Sequence, residues 1–387
     1  MRFLRSLRRR SLRPMFRGIT RYLFGKRGKR RLFGLRITYR LRMMMVLASG
    51  RAAPHLPRLP RVRLWVDSEG FARVRKLIRR ARHTVIIQMF IWKDDALGRE
   101  IASLLVEAAD RGVAVYVTKE AMGDIFETAG DFLTTKASVD PIWKRFWSHK
   151  RIRIRHARFD DHAKVFIIDG RVLLLTGMNI AEEYDGPWHD YMVELRGGHF
   201  VQQYLSHGEE GATTTERARL IQNTDRRKEV RQTVTELLSS AKKTVVLEQA
   251  YLGDKRVLTQ LARLSHHGVI ITVILPSQSD VHHYGNMRAL EYLLTNGSAR
   301  TTRLFLYSGM IHGKILLVDR TRAFIGSANL IASSLDRMGE VNVLLEGRMS
   351  HAVAKLREVL RQDILKSKPV HHVRIFWIQR WLAWMQL

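Results

Sequence analysis

Apolar and polar positions change period several times along this chain, and the changes divide it into elements. Residues 71–82 carry apolar side chains at helical spacing. Residues 84–91, Thr-Val-Ile-Ile-Gln-Met-Phe-Ile, form an apolar run of strand length. Helical spacing returns over 98–111, and 113–117 read as a second strand. Such strand–helix alternation predicts an α/β architecture. The pattern then recurs. Ala81-Arg-His-Thr-Val-Ile-Ile is matched by Ala241-Lys-Lys-Thr-Val-Val-Leu, and Arg111-Gly-Val-Ala-Val-Tyr-Val by His267-Gly-Val-Ile-Ile-Thr-Val. Between the copies lies Ser206-His-Gly-Glu-Glu-Gly-Ala-Thr-Thr-Thr-Glu, polar and small enough for a connector. The expectation is two copies of one α/β unit, spanning 64–205 and 206–369.

Both ends depart from this globular pattern. Residues 1–66 hold 20 Lys or Arg and no acid, out of a net charge of +31, so the remainder carries only +11. Prolines 54, 57 and 60 punctuate a linker at 50–62. A basic arm over 1–63 attracts polyanions, either a nucleic acid or an anionic membrane, and charge alone does not choose between them. Its Arg-rich, acid-poor, partly amphipathic character also fits a mitochondrial transit peptide. The chain end 370–387 follows Pro369 and is helix-compatible. On a helix, Val370, Val373, Trp377, Trp381 and Trp384 fall on one face, and Trp favours the headgroup boundary of a bilayer. No run approaches the roughly 20 apolar residues that a bilayer span needs. A peripheral protein held on anionic membrane by both ends is therefore expected.

The repeat carries chemistry at one place. His162-Ala-Lys164 leads through an apolar run to Asp169, and His312-Gly-Lys314 leads likewise to Asp319. Counting from each His, Asn179 and Asn329 both fall at the same offset, and so do Asp190 and Glu340. On a strand, residues two apart face one side, so each His and Lys point together. Lys is a compact cation suited to a phosphate oxygen, and Asn adds an amide donor. Asp190 and Glu340 suit the Nδ1 of an imidazole, which leaves Nε2 to react. Asp169 and Asp319 end the apolar runs, and hydrogen bonds that hold the fold are favoured for them over contact with substrate. Two such sets meeting would surround a phosphodiester with two His, two Lys and two Asn. The paired ammoniums argue against a metal in that pocket, and no cofactor is implied. His83, His266, His267, His282 and His283 read as structural.

The doubled His-x-Lys-x4-Asp pattern, with Phe324-Ile-Gly-Ser-Ala-Asn329 and Thr176-Gly-Met-Asn179 trailing it, resembles the phospholipase D superfamily over about 64–347. Gly177-Met-Asn-Ile-Ala-Glu-Glu-Tyr184, Trp188-His-Asp190 and Gly339-Glu340-Val-Asn342 are similar to the bacterial cardiolipin synthases within it. That resemblance implies two phospholipase D-like lobes, each a mixed sheet flanked by helices, with one active site at their interface. It implies His162, Lys164, Asp169, His312, Lys314 and Asp319 as the catalytic set, Asn179 and Asn329 on the phosphate, and Asp190 and Glu340 orienting the imidazoles. The implied reaction is metal-independent phosphatidyl transfer to phosphatidylglycerol through a phosphohistidine, with His162 as nucleophile and His312 as acid and base. Water as acceptor would instead release phosphatidic acid. A nuclease of the same superfamily is the alternative that the positive charge favours, whereas the apolar residues interleaved in the arm favour lipid. The implied place is the cytoplasmic face of a bacterial inner membrane, with a mitochondrial membrane as the alternative. Three departures stand out: His189 replaces an Arg usual for the family, Tyr251-Leu-Gly-Asp254 lacks a Pro, and a basic arm replaces membrane-spanning helices.

Overall fold

A computed structural model describes residues 61–120, 140–157, 160–206, 218–347 and 351–375. Residues 1–60 of the basic arm, most of the connector, and Trp377, Trp381 and Trp384 lie outside the described residues.

The first half runs β1 (Val62–Val66), α1 (Ser68–Arg80), β2 (Thr84–Met89), α2 (Ala96–Asp110), β3 (Ala114–Glu120), α3 (Pro141–Ser148), β4 (Ile152–Ala157), β5 (Val165–Ile168), β6 (Val172–Thr176), β7 (Tyr191–Arg196) and α4 (Gly198–Leu205). The second runs β8 (Ala218–Asn223), α5 (Val230–Ser239), β9 (Thr244–Gln249), α6 (Lys255–His266), β10 (Ile270–Pro276), α7 (His283–Asn296), β11 (Thr302–Tyr307), β12 (Lys314–Val318), β13 (Arg322–Gly326), α8 (Ala332–Asp336), β14 (Glu340–Glu346), α9 (His351–Lys366) and β15 (Ser367–Pro369). The first sheet has the order β1-β7-β6-β5-β2-β3-β4. The second, read from its β8 edge, has β8-β14-β13-β12-β9-β10-β11-β15. Strand for strand these are the same sheet, with β15 added at one edge. In each, three parallel strands (β2, β3, β4; β9, β10, β11) continue into an antiparallel set, so both sheets are mixed. The strands β6 and β7 meet β13 and β14, which brings the two sheets together.

The helices form for local reasons and pack for apolar ones. In α2, Leu97, Ile101, Leu104, Leu105 and Ala108 recur at spacings of three and four and are buried on the sheet, each large side chain contributing about 1.5–3 kcal/mol. Asp95 caps its start by accepting from Gly98 N at 2.8 Å, and Asp254 does the same for α6 through Val257 N at 3.0 Å. A charge at Ile101 would remove the face that holds α2 on β3.

Two sequence expectations shift. The apolar run at 84–91 ends as a strand at Met89, because Ile91 N turns away to bond Asn179 Oδ1. Residues 371–375 are not helical. Val370 and Val373 pack against the core of the second half, and Val370 N bonds Leu304 O at 2.9 Å. Those two valines are therefore committed to the sheet rather than to a membrane-facing stripe. Among the described residues, no helix is long and apolar enough to cross a membrane.

Candidate active site

Each motif histidine sits in the extended residues just before its strand, not inside it. There the backbone of one lobe pairs briefly with that of the other. Asp161 bridges Gly339, and His162 N donates to Gly339 O at 2.8 Å. His189 bridges Ile311, and His312 N donates to His189 O at 2.8 Å. Gly339 and His189 each immediately precede a carboxylate, so these bridges deliver Glu340 to His162 and Asp190 to His312. His162 Nδ1 lies 3.2 and 3.3 Å from the two Glu340 oxygens, and His312 Nδ1 lies 2.8 Å from Asp190 Oδ2. The two carboxylate–imidazole pairs are crossed: each lobe's carboxylate bonds the other lobe's histidine.

The lysines stand beside them, and both are buried, with Lys164 0% and Lys314 1% exposed. Lys164 Nζ donates to its own motif's His162 O at 2.7 Å and lies 5.0 Å from the centre of the Phe90 ring. Lys314 Nζ bonds His312 O and approaches Nδ1 and Nε2 of the same imidazole at 2.7 and 3.1 Å. Aromatic rings line the pair. Phe90 meets His162 edge-on at 4.9 Å, and Tyr184, Trp188 and Tyr251 stand at 4.9, 5.8 and 6.2 Å from His312. Sequence reasoning missed Phe90, Trp188 and Tyr251 as walls. They lie at strand ends and in loops whose spacing carries no signal of its own.

Three named residues are placed differently from a substrate contact. Asp169 Oδ1 accepts from His83 N at 2.7 Å and Thr84 N at 3.0 Å, and Arg82 N joins them. Asp319 Oδ1 repeats this with Lys243 N at 2.8 Å and Thr244 N at 3.1 Å. Both adopt positive φ (52° and 48°) at the far end of the motif strand. They fasten the turn into β2 and β9, and four residues of strand lie between each of them and its motif lysine, so their place is in holding the fold rather than beside the histidines. Asn179 commits its oxygen to Ile91 N and donates from Nδ2 to the Tyr184 hydroxyl at 2.9 Å, which fixes that pocket wall. Asn329, its counterpart, is buried with an Oδ1 that has no hydrogen-bond partner. His282, read as structural, meets Tyr251 at 4.6 Å with the rings tilted, behind the pocket wall.

Residues 74–210 and 234–364, covering both crossed pairs, match the family described as cardiolipin synthase, PLD-like domain. The chain belongs to this family. Cardiolipin synthase A of Pseudomonas syringae pv. syringae is 28% identical over 322 residues, covering 73% of this chain and 65% of its own length. Cardiolipin synthase 1 of Bacillus cereus is 23% identical over 332 residues, covering 74% and 63%. The chain thus spans a little under two thirds of the length of these curated relatives. Among solved structures, phosphatidylserine synthase of Haemophilus influenzae Rd KW20 superposes with a TM-score of 0.69 at 13% identity, over 84% of this chain and 92% of that one. That likeness is one of fold, and it extends across both sheets.

In this member of the PLD-like cardiolipin synthase family, burial dominates the electrostatics. It drives Lys164 down to about 7, against the pull of Glu340 and with the help of Lys314. Lys314 falls to about 8, again through burial, with Asp190 and Glu340 opposing. Both imidazoles are lowered by burial and then by the nearby ammoniums. The carboxylates diverge. Burial raises Asp190 to about 7 against Lys314. Burial also works to raise Glu340, but His162, Lys164 and the Ser327 hydroxyl outweigh it and hold Glu340 below its ordinary value. The resting pocket therefore holds neutral imidazoles and ammoniums whose charge is held down by burial. An anionic phosphodiester entering it would relieve both.

Proposed function

We propose that the chain is a phospholipase D-type phosphatidyltransferase that makes cardiolipin from two molecules of phosphatidylglycerol. The crossed pairing of two buried His–carboxylate sets beside two buried lysines carries this reading. His162 Nε2 attacks phosphorus, forming an N–P bond, and the P–O bond to the first glycerol headgroup breaks. His312, protonated once the phosphate anion is in place, gives its proton to the departing glycerol oxygen. His312 then takes the proton from a hydroxyl of the second phosphatidylglycerol, whose oxygen displaces His162 and regenerates it. Lys164, Lys314 and the Asn329 amide hold charge on the non-bridging oxygens. Glu340 and Asp190 keep each Nδ1–H in place so that Nε2 faces the substrate. None of these steps needs a metal ion. The family match and the cardiolipin synthase relatives support this substrate over a nucleic acid.

The test incubates the purified protein with phosphatidylglycerol and resolves the products by mass spectrometry, with plasmid DNA in parallel. Cardiolipin and glycerol in equal amounts are expected. Phosphatidic acid alone would make water the acceptor, and DNA cleavage without lipid turnover would replace the reading with the nuclease one. Acid-labile, alkali-stable phosphate trapped on His312 instead of His162 would reverse the two histidine roles.

The reading includes peripheral attachment to the cytoplasmic face of a bacterial inner membrane, with 1–63 as a basic membrane-binding arm and the Trp-rich end 376–387 as a second contact. Each Lys or Arg near an anionic surface contributes about 1 kcal/mol. Flotation with liposomes should require anionic lipid, weaken in high salt, and fall when 1–60 or 376–387 is removed. Undiminished binding by a chain lacking both ends would overturn the attachment.

A further inference from the structure

Behind the backbone of His312 and Gly313 lies a second cluster of titratable groups that the transfer reaction does not use. His189, Glu248 and Asp363 come from the residues before β7, from β9 and from α9, and all three are buried. His189 Nε2 lies 3.5 Å from Glu248 Oε1 and 3.2 Å from Asp363 Oδ2. Ligand-capable atoms of the three residues all lie within 4.8 Å of one another. Glu248 Oε2 and Asp363 Oδ2 accept no hydrogen bond, although both are sealed from solvent. Among the described residues no Lys or Arg pairs with either carboxylate. Two buried carboxylates facing one imidazole leave negative charge uncompensated even when that imidazole is protonated, so a cation or an extra proton must complete the cluster.

We propose that His189, Glu248 and Asp363 bind one divalent cation of the zinc class, in a structural site separate from the substrate pocket. Zinc bonds of about 2.1 Å at tetrahedral angles put ligand atoms about 3.4 Å apart. The two separations from Nε2 bracket that value. His189 Nδ1 bonds Asp67 Oδ1 at 2.8 Å, and a carboxylate on the far nitrogen is the arrangement that fixes the tautomer of a metal-bound histidine. One imidazole and two carboxylates, without thiolate, suit zinc better than magnesium or calcium, which take more oxygen ligands. The Tyr191 hydroxyl, 2.7 Å from Glu248 Oε1 and 2.9 Å from His189 Nε2, borders the remaining position.

The fold reserves this space in one lobe only. A Cβ at Gly313 would lie 2.8 Å from the Tyr191 ring and 3.1 Å from Glu248 Oε1, whereas Ala163 occupies the equivalent place in the first motif. Where Glu248 pairs with Ile315 across the sheet, the first lobe has Gln88 paired with Val165. That glutamine is neutral and satisfied, donating to Asp161 at 2.7 Å and accepting from the Tyr204 hydroxyl at 2.5 Å. A bound ion would clamp α9 to both sheets directly beneath His312, whose N–H is held by the His189 carbonyl. On binding, the ion displaces the proton from Nε2 and any proton held by the carboxylates, so protons are released.

The experiment uses the full chain in detergent micelles, stripped with chelator and then titrated with Zn²⁺ and Co²⁺. One ion per chain is expected, with a dissociation constant in the micromolar range or tighter, proton release, a raised thermal midpoint and the ligand-field absorption of a four- or five-coordinate Co²⁺. His189→Arg, which brings a guanidinium to the two carboxylates, and Asp363→Asn should abolish binding. His162→Ala, which removes an imidazole from the substrate pocket, should retain it. Failure of the unsubstituted chain to take up a stoichiometric ion, or a Co²⁺ spectrum typical of six water ligands, would overturn the proposal without any variant. So would binding that survives His189→Arg or vanishes with His162→Ala.

Discussion

His162 and His312 hold equivalent places in the two lobes, and each is bonded through Nδ1 by the other lobe's carboxylate, yet the two supports differ in kind. Glu340 has a longer reach and meets His162 at 3.2 Å, and its own position is shared with the Ser327 hydroxyl. Asp190 meets His312 at 2.8 Å, and where the second lobe has Ser327 the first has Gly177, whose missing side chain leaves room for the carboxylate but offers it no donor. The result is an ionised Glu340 and an Asp190 lifted to about 7. Equal motif spacing thus leads to unequal proton affinity, and the difference lies in residues outside the motif. It fits two histidines that share a site but divide the work.

The deepest test removes each imidazole. His162→Ala and His312→Ala should each lower phosphatidyl transfer by at least about 10³-fold with circular dichroism unchanged, because neither ring can both attack phosphorus and carry the proton. Near-normal turnover in either variant would end the division of labour.

Next come the two carboxylates. Asp190→Asn and Glu340→Gln should lower kcat by roughly 10- to 100-fold, as loss of an orienting partner does. Asp190→Asn should be the more harmful, since Glu340→Gln retains the Ser327 contact. A loss as deep as that of the histidine variants would assign the carboxylates direct chemistry, and no loss would remove them from the site.

Much of this was legible from the chain. The repeated offsets of His, Lys, Asn and acid name the residues of the pocket, and the strand–helix alternation names the lobes. The crossing was not legible, because Glu340 reaches His162 through a single backbone bridge at Gly339 with no sequence pattern. Nor was the role of His189 evident. The Arg-to-His departure carries no sign in the sequence that the ring is turned into a buried cluster under β12. That Asp169 and Asp319 hold the fold was legible from their place at the ends of the apolar runs, whereas the particular amides they accept from required the turn to be seen.

The pH profile sharpens the comparison with a smaller effect. In the free enzyme the His312–Asp190 pair takes up a proton as pH falls below about 7, weakening the hold on Nδ1. Lys164 and Lys314 lose theirs as pH rises past about 7 and about 8, weakening the grip on phosphate. The kcat/KM value should therefore peak near about pH 7, several-fold above its values two units away, and Asp190→Asn should flatten the acid limb. The kcat profile should be broader on the alkaline side, since bound phosphate raises both ammoniums. An unchanged acid limb in Asp190→Asn would move that titration elsewhere.

The smallest effect on catalysis should come from the motif aspartates, where the two lobes are alike. Asp169→Ala and Asp319→Ala should each cost about 1–3 kcal/mol of stability, read by denaturant unfolding, while kcat changes by less than about threefold. A large fall in kcat at unchanged stability would return them to the chemistry.

The crossed pairs also set a time at which the chain becomes able to act. During synthesis the first lobe leaves the ribosome with His162 and Asp190 but without the acid that orients His162 or the histidine that Asp190 orients. His312 follows much later, and Glu340 later still. On the proposed reading, a nascent chain would lack both orienting contacts until nearly the whole catalytic region has emerged and both halves have closed on each other. Competence would then be gained in one step, because a product stalled before Glu340 holds His162 without its carboxylate partner.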